Sequence, residues 1–280
     1  MCALAAIYYQ QRRNNMEKEV ALITLHGMGD YKPNYYDSLH EKLSKSLGDD
    51  WAKVSFEAVQ YQPILQKQQN AIWQRMNRYP LDGSILRRFL LFGFSDAGSL
   101  EYSARSSVSD QYIKVQLEIM KALDKAYLDL QDHNKPVIII AQSLGCQVIS
   151  NYLWDATHGL GVFKDMEPNA SEHQKSFRRL KSCTNLITTG CNIPMFVGGL
   201  NPIVAVPKPN DSFKWDNYFD RDDVLGWPLS PLSDSYEQLV KDHEINAGGI
   251  FSSWNPWSHG KYWSDKQVIT PLVQELRRYL

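Results

Sequence analysis

The run Val137-Ile138-Ile139-Ile140 passes without a break into Ala141-Gln142-Ser143-Leu144-Gly145, and this junction constrains the chain more than any other feature. Consecutive β-branched residues, apolar on both faces, specify a strand covered on both sides, as in a parallel sheet. From Cys146 to Ala156 the apolar spacing turns helical. Ser143 therefore sits in a tight turn between a buried strand and a helix. The small side chains of Ala141 and Gly145, two residues to either side, let strand and helix approach closely. The first amides of that helix face the turn, where they favour developing negative charge. An ordinary turn with a capping serine would carry the same five residues, so the rest of the chain has to discriminate.

The remaining pattern alternates strands with helices. Val20 to Leu25 is a second continuous apolar run, ending in His26-Gly27-Met28-Gly29-Asp30. Tyr36 to Leu47 reads as a helix stopped by Gly48, and Ala52 to Tyr61 as a strand. Pro63 to Arg78 reads as a polar-rich helix. Ser107 and Asp110 resemble a capping box before a long amphipathic helix with Tyr112, Val115, Ile119, Leu123, Ala126 and Leu130 on its inner face. Residues 158–181 read as an irregular surface excursion. Asn185 to Thr189 and Phe213 to Phe219 are further strands, Tyr236 to Asn246 is helix, strand or both, and a helix closes the chain between Ser264 and Leu280. That last helix starts near Ser264 or, since an interior proline would break an earlier start, only at Pro271. Such alternation implies βαβ units and a mostly parallel central sheet with helices on both faces.

A chain of 280 residues, 43% hydrophobic and 22% charged, can bury a core without disulfides or metal. Its net charge of −1, with no basic arm or zinc-finger spacing, gives no reason to expect a nucleic-acid partner. Cys2, Cys146, Cys183 and Cys191 form no CxxC pair, which favours reduced thiols and a cytoplasmic setting. The apolar stretch from Cys2 to Tyr9 precedes Arg12 and Arg13, the wrong order for a secretory signal. Residues 1–15 are expected to be a dispensable tail and 16–280 a single domain.

The five residues Ala141 to Gly145 resemble the nucleophile elbow of the α/β-hydrolase superfamily, with alanine in place of the usual first glycine. The resemblance implies the α/β-hydrolase fold, with a helical insertion near 62–106, and Ser143 as nucleophile. His26-Gly27-Met28-Gly29 is similar to the oxyanion loop that follows an early strand in this superfamily. By resemblance the oxyanion donors are the amides of Met28 and Leu144, with Gly27 and Gly29 permitting the loop shape. The His26 side chain is expected to bond loop backbone. In the superfamily the acid and then the histidine follow the serine. His259, between Trp257 and Trp263 and ahead of the last helix, fits the base; His243 is its rival. The loop Asp220-Arg221-Asp222-Asp223-Val224-Leu225-Gly226 resembles the acid loop, with Asp222 in the acid position and Asp223 or Asp220 as alternatives. Thr189-Gly190-Cys191 looks like a Gly-Ser-Pro turn found in some lipase-like members.

The expected chemistry is acyl transfer from a small-molecule carboxylic ester, lipid ester or thioester to water, with no metal or organic cofactor. Trp73, Tyr79, Phe89, Phe92, Phe94 and Tyr102 in the insertion would form an acyl pocket or lid, or plain core. Two other classes stay open: a non-catalytic binding protein on the same fold, and a membrane-surface protein using Ile85 to Phe94.

Overall fold

The computed structural model describes residues 17–27, 33–79, 82, 87–88, 91–92, 95, 110–164, 170–247 and 261–280. Met28, Gly29, His259 and the proposed tail lie outside these residues, as do Phe89, Phe94 and Tyr102 of the insertion.

Among the described residues six strands run in parallel: β1 (Val20–Leu25), β2 (Val54–Ala58), β3 (Val137–Gln142), β4 (Cys183–Thr189), β5 (Lys214–Asp220) and β6 (Val240–Ile245). Their order in the sheet is β2-β1-β3-β4-β5-β6. The central strands are apolar on both faces because each face meets its own core. Ala21, Ile23 and Leu25 of β1 and Val137, Ile139 and Ala141 of β3 point to one side, against α3 (Asp110–Leu130) and α4 (Leu144–His158). Val20, Leu22, Ile138 and Ile140 point to the other, against α1 (Asp37–Leu47) and α8 (Lys266–Arg277). The inner face of α3 is the one its spacing specifies: Tyr112, Val115, Ile119, Leu123, Ala126 and Leu130 are all buried. Gly48 ends α1 with φ at 61°, a left-handed conformation that glycine adopts without steric cost.

The order places a switch point between β1 and β3, since the chain leaves β1 toward β2 on one side and returns to β3 on the other. Loops at the carboxyl ends of such neighbours diverge and leave a crevice, where open α/β sheets bind ligands. The loop after β1 begins with His26 and Gly27, and the turn after β3 contains Ser143. The expectation of a mostly parallel sheet flanked by helices is met: the described strands are all parallel and helices cover both faces.

One local reading changes and two open ones are resolved. Residues 158–181 are not simply irregular: they contain α5 (Glu172–Arg178), capped by Ser171 and anchored by buried Phe177. Tyr236 to Asn246 divides into α7 (Asp234–Leu239) and the edge strand β6. The last helix runs from Lys266 straight through Pro271. A proline there forfeits one backbone bond, but Val268, Ile269, Leu272, Val273 and Leu276 bury a continuous apolar face and Asp265 caps the start through Gln267 N. Among the described residues the further α-helices are α2 (Gln62–Met76) and α6 (Ile193–Val197). Among the described residues no helix is long and apolar enough to cross a membrane.

Candidate active site

Ser143 has φ 52° and ψ −122°, a region that L-residues rarely occupy and that costs on the order of 1–3 kcal/mol. Packing on every side enforces it. The Ser143 amide donates to Thr189 O at 3.0 Å, tying the turn to the end of β4. Gly145 lies so close to β1 that a Cβ there would stand 2.7 Å from Leu25 O, and one on Gly27 would stand 2.4 Å from Ser143 Cβ. Small residues at these positions therefore meet a steric demand, as the sequence pattern implies. The Ser143 side chain is 1% exposed, and its Oγ has no hydrogen-bond partner among the described residues. An unbonded hydroxyl at the positive end of α4 is unusual in a folded core and available to an incoming partner. Leu144, whose amide is the expected oxyanion donor, opens α4 directly after it.

The oxyanion loop is held from β2. Three consecutive residues after that strand reach across to it. Gln60 Nε2 donates to Pro33 O at 2.9 Å, Tyr61 OH donates to His26 O, and Gln62 Nε2 donates to Gly27 O at 2.7 Å. Gln62 Nε2 also meets His26 Nδ1 at 2.6 Å, which makes Nδ1 the acceptor and leaves the ring proton on Nε2. Burial lowers the His26 pKa to about 4, so the ring is neutral at pH 7. Its plane packs against Tyr35 with centroids 4.1 Å apart, and Tyr35 OH donates to Thr24 O at 2.8 Å. The His26 side chain thus meets the Gln62 amide and is also hydrogen-bonded to the Gly27 backbone of its own loop.

The three aspartates after β5 have different surroundings. Asp222, in the expected acid position, is exposed, whereas Asp220 and Asp223 are 4% and 5% exposed. Asp220 Oδ2 accepts from Ala247 N at 2.6 Å and its Oδ1 from Asp222 N at 2.9 Å. Asp223 Oδ2 accepts from Tyr262 OH at 2.9 Å and its Oδ1 from Leu225 N at 3.0 Å. Burial and the Asp223 charge push the Tyr262 pKa up, so the phenol keeps its proton and donates it. The rival His243 lies elsewhere, paired with Asp216 at 2.7 Å and stacked on Tyr218. It lines a cavity of about 360 Å³ between β4–β6 and α8 that includes none of the loops around Ser143.

The structure brings together Ser143, Gly27, His26, Leu144 and Gly145. The acid loop joins them through β4: a Cβ on Gly226 would stand 3.2 Å from Gly190 Cα, and Trp227 N donates to Cys191 O at 3.0 Å. Cys146 and Cys191 are buried free thiols beside these strand ends, and burial raises the Cys146 pKa well above that of an ordinary thiol. Gln60, Tyr61, Gln62 and Tyr262 were not among the sequence candidates. The one available signal was the glutamine stripe of α2, where Gln62, Gln66 and Gln69 recur on one helical face and are all buried. Among the described residues no group of three or more His, Cys, Asp or Glu side chains is placed to hold a metal ion.

No protein-family model matches the sequence, and no curated protein matches it. Among solved structures the chain is similar to dienelactone hydrolase from Anabaena variabilis, at 12% identity and a TM-score of 0.40, over 95% of this chain and 86% of that one. A likeness of that degree bears on neither the nucleophile nor the substrate.

Proposed function

We propose that the protein is a serine hydrolase that cleaves a carboxylic ester, lipid ester or thioester through Ser143. The observation that carries this reading is the strained Ser143 turn, whose buried Oγ has no hydrogen-bond partner among the described residues at the start of α4. A serine that served only as a cap would bond an amide of its own helix, and Ser143 makes no such bond.

In the proposed reaction Ser143 Oγ attacks the acyl carbon while His259 takes its proton. The amides of Leu144 and Met28 bind the oxyanion, the leaving alcohol or thiol takes the proton back from His259, and water then releases the acyl group by the reverse sequence. Asp223 is the acid that orients and balances the imidazolium, in the role that the sequence resemblance gives to Asp222. Burial of its carboxylate supports this choice, because an exposed carboxylate stabilises a neighbouring cation far less.

A series of nitrophenyl esters from short to long acyl chains, run with wild type and Ser143→Ala, tests the proposal. Turnover by the wild type, lost in the variant, supports it, and the best chain length defines the acyl class. Absence of turnover across the series, with no covalent labelling, favours a binding protein on this fold.

A further inference from the structure

The acid loop is bonded to residues on either side of segment 248–260 in the sequence. Ala247 N donates to Asp220 Oδ2 at 2.6 Å on one side. On the other, Tyr262 OH donates to Asp223 Oδ2 and accepts from Asp220 N, each at 2.9 Å. The next residue extends the connection: Trp263 Nε1 donates to Thr189 Oγ1 at 3.2 Å, and the carbonyl of Thr189 accepts from the Ser143 amide at 3.0 Å. Two adjacent aromatic side chains therefore bond the acid loop and the strand end that fixes Ser143. Tyr262 is fully buried. A hydroxyl buried in this way is ordinarily hydrogen-bonded, and its partners here include the acid loop's backbone and carboxylate.

We infer that Tyr262 is a positioning residue for the hydrolase reaction, aiming the Asp223 carboxylate through its phenol; this role rests on the proposed assignment of Asp223 as the acid. With Oδ1 bonded by Leu225 N and Oδ2 by the phenol, rotation of the carboxylate about its last bond is blocked. An acid partner aimed in advance costs no reorganisation when the imidazolium forms. Gly226 belongs to the same arrangement: a Cβ on it would stand 2.8 Å from both Asp223 Oδ2 and Tyr262 OH. That position is closed to side chains by the very bond between them.

The test uses Tyr262→Phe, which keeps the ring and removes the bond, and Gly226→Ala, which pushes on the same bond from outside. Ester kinetics, the rate and final extent of fluorophosphonate labelling, and the melting temperature are measured for each. Tyr262→Phe is expected to lower kcat roughly ten- to a hundredfold with KM little changed. Labelling of Ser143 should be slower yet still reach one per chain. Gly226→Ala should act in the same direction, so a poorly folding Tyr262→Phe does not decide the matter alone. A purely structural role would instead lower the fraction labelled and leave kcat per labelled site unchanged, and that result overturns the inference. Wild-type kcat in Tyr262→Phe also overturns it while leaving the hydrolase reading intact. An active enzyme in which Asp223→Asn has no effect removes the acid assignment and this role with it, and a wild type with neither turnover nor labelling removes the hydrolase reading as well.

Discussion

Gly27 and Ser143 touch: a β-carbon added to Gly27 would lie 2.4 Å from Ser143 Cβ and 3.0 Å from its Oγ. The contact joins the ends of β1 and β3 at the switch point of the sheet, and it leaves no room for a side chain on the loop. Gly27→Ala must therefore displace either the loop or the Ser143 turn. With a misplacement near 1 Å, turnover should fall about a hundredfold or more while the chain stays folded. Ester kinetics beside a melting curve distinguish this from general unfolding.

The three aspartates after β5 should separate cleanly. Asp223→Asn is expected to lower kcat by roughly 10³–10⁴-fold, the scale set by loss of a triad carboxylate. Asp222→Asn, on an exposed side chain, should stay within about threefold of wild type. Asp220→Asn loses the charge on bonds to two backbone amides and should reduce stability by about 1.5–3 kcal/mol. Kinetics and denaturant unfolding on all three variants check the ranking.

His26 should give the protein a pH-dependent stability. Its folded pKa of about 4 lies below the ordinary 6.5, so the unfolded chain binds the proton more readily. Stability contributed by the neutral ring is complete above pH 6.5 and falls as pH drops toward 4, below which the loss is constant. The whole loss is on the order of 3 kcal/mol. Denaturant unfolding between pH 4 and 7 should show this slope, and His26→Gln should flatten it.

Much of the fold was legible because the central strands are buried on both faces. Residues 20–25 and 137–140 announce themselves as continuous apolar runs, and α3 through its three- and four-residue spacing. The edge strand β6 carries Lys241, Asp242, His243 and Glu244, and its partial exposure hides the strand signal. α5 buries one large apolar residue, Phe177, too few to create a period. The helix through Pro271 is a case of tertiary packing overriding a local rule.

The candidate site divides in the same way. Ala141, Ser143, Gly145 and Gly27 were readable because their demands are local: a positive φ and close backbone approach. Which two of three neighbouring aspartates are buried depends on Tyr262, some forty residues away in sequence, and on how the chain turns after Asp220. Gln62 escapes notice for a similar reason, since its bonds to His26 and Gly27 join two loops that no periodicity relates.

The central claim is that Ser143 Oγ is a nucleophile. Treatment of the full chain with a fluorophosphonate, followed by mass spectrometry of the peptide spanning β3 and α4, tests it without assuming a substrate. One phosphonyl group per chain on Ser143, absent from Ser143→Ala at an equal or higher melting temperature, is the expected result. An unmodified Ser143 in a folded wild-type protein, or equal labelling of Ser143→Ala, would contradict it.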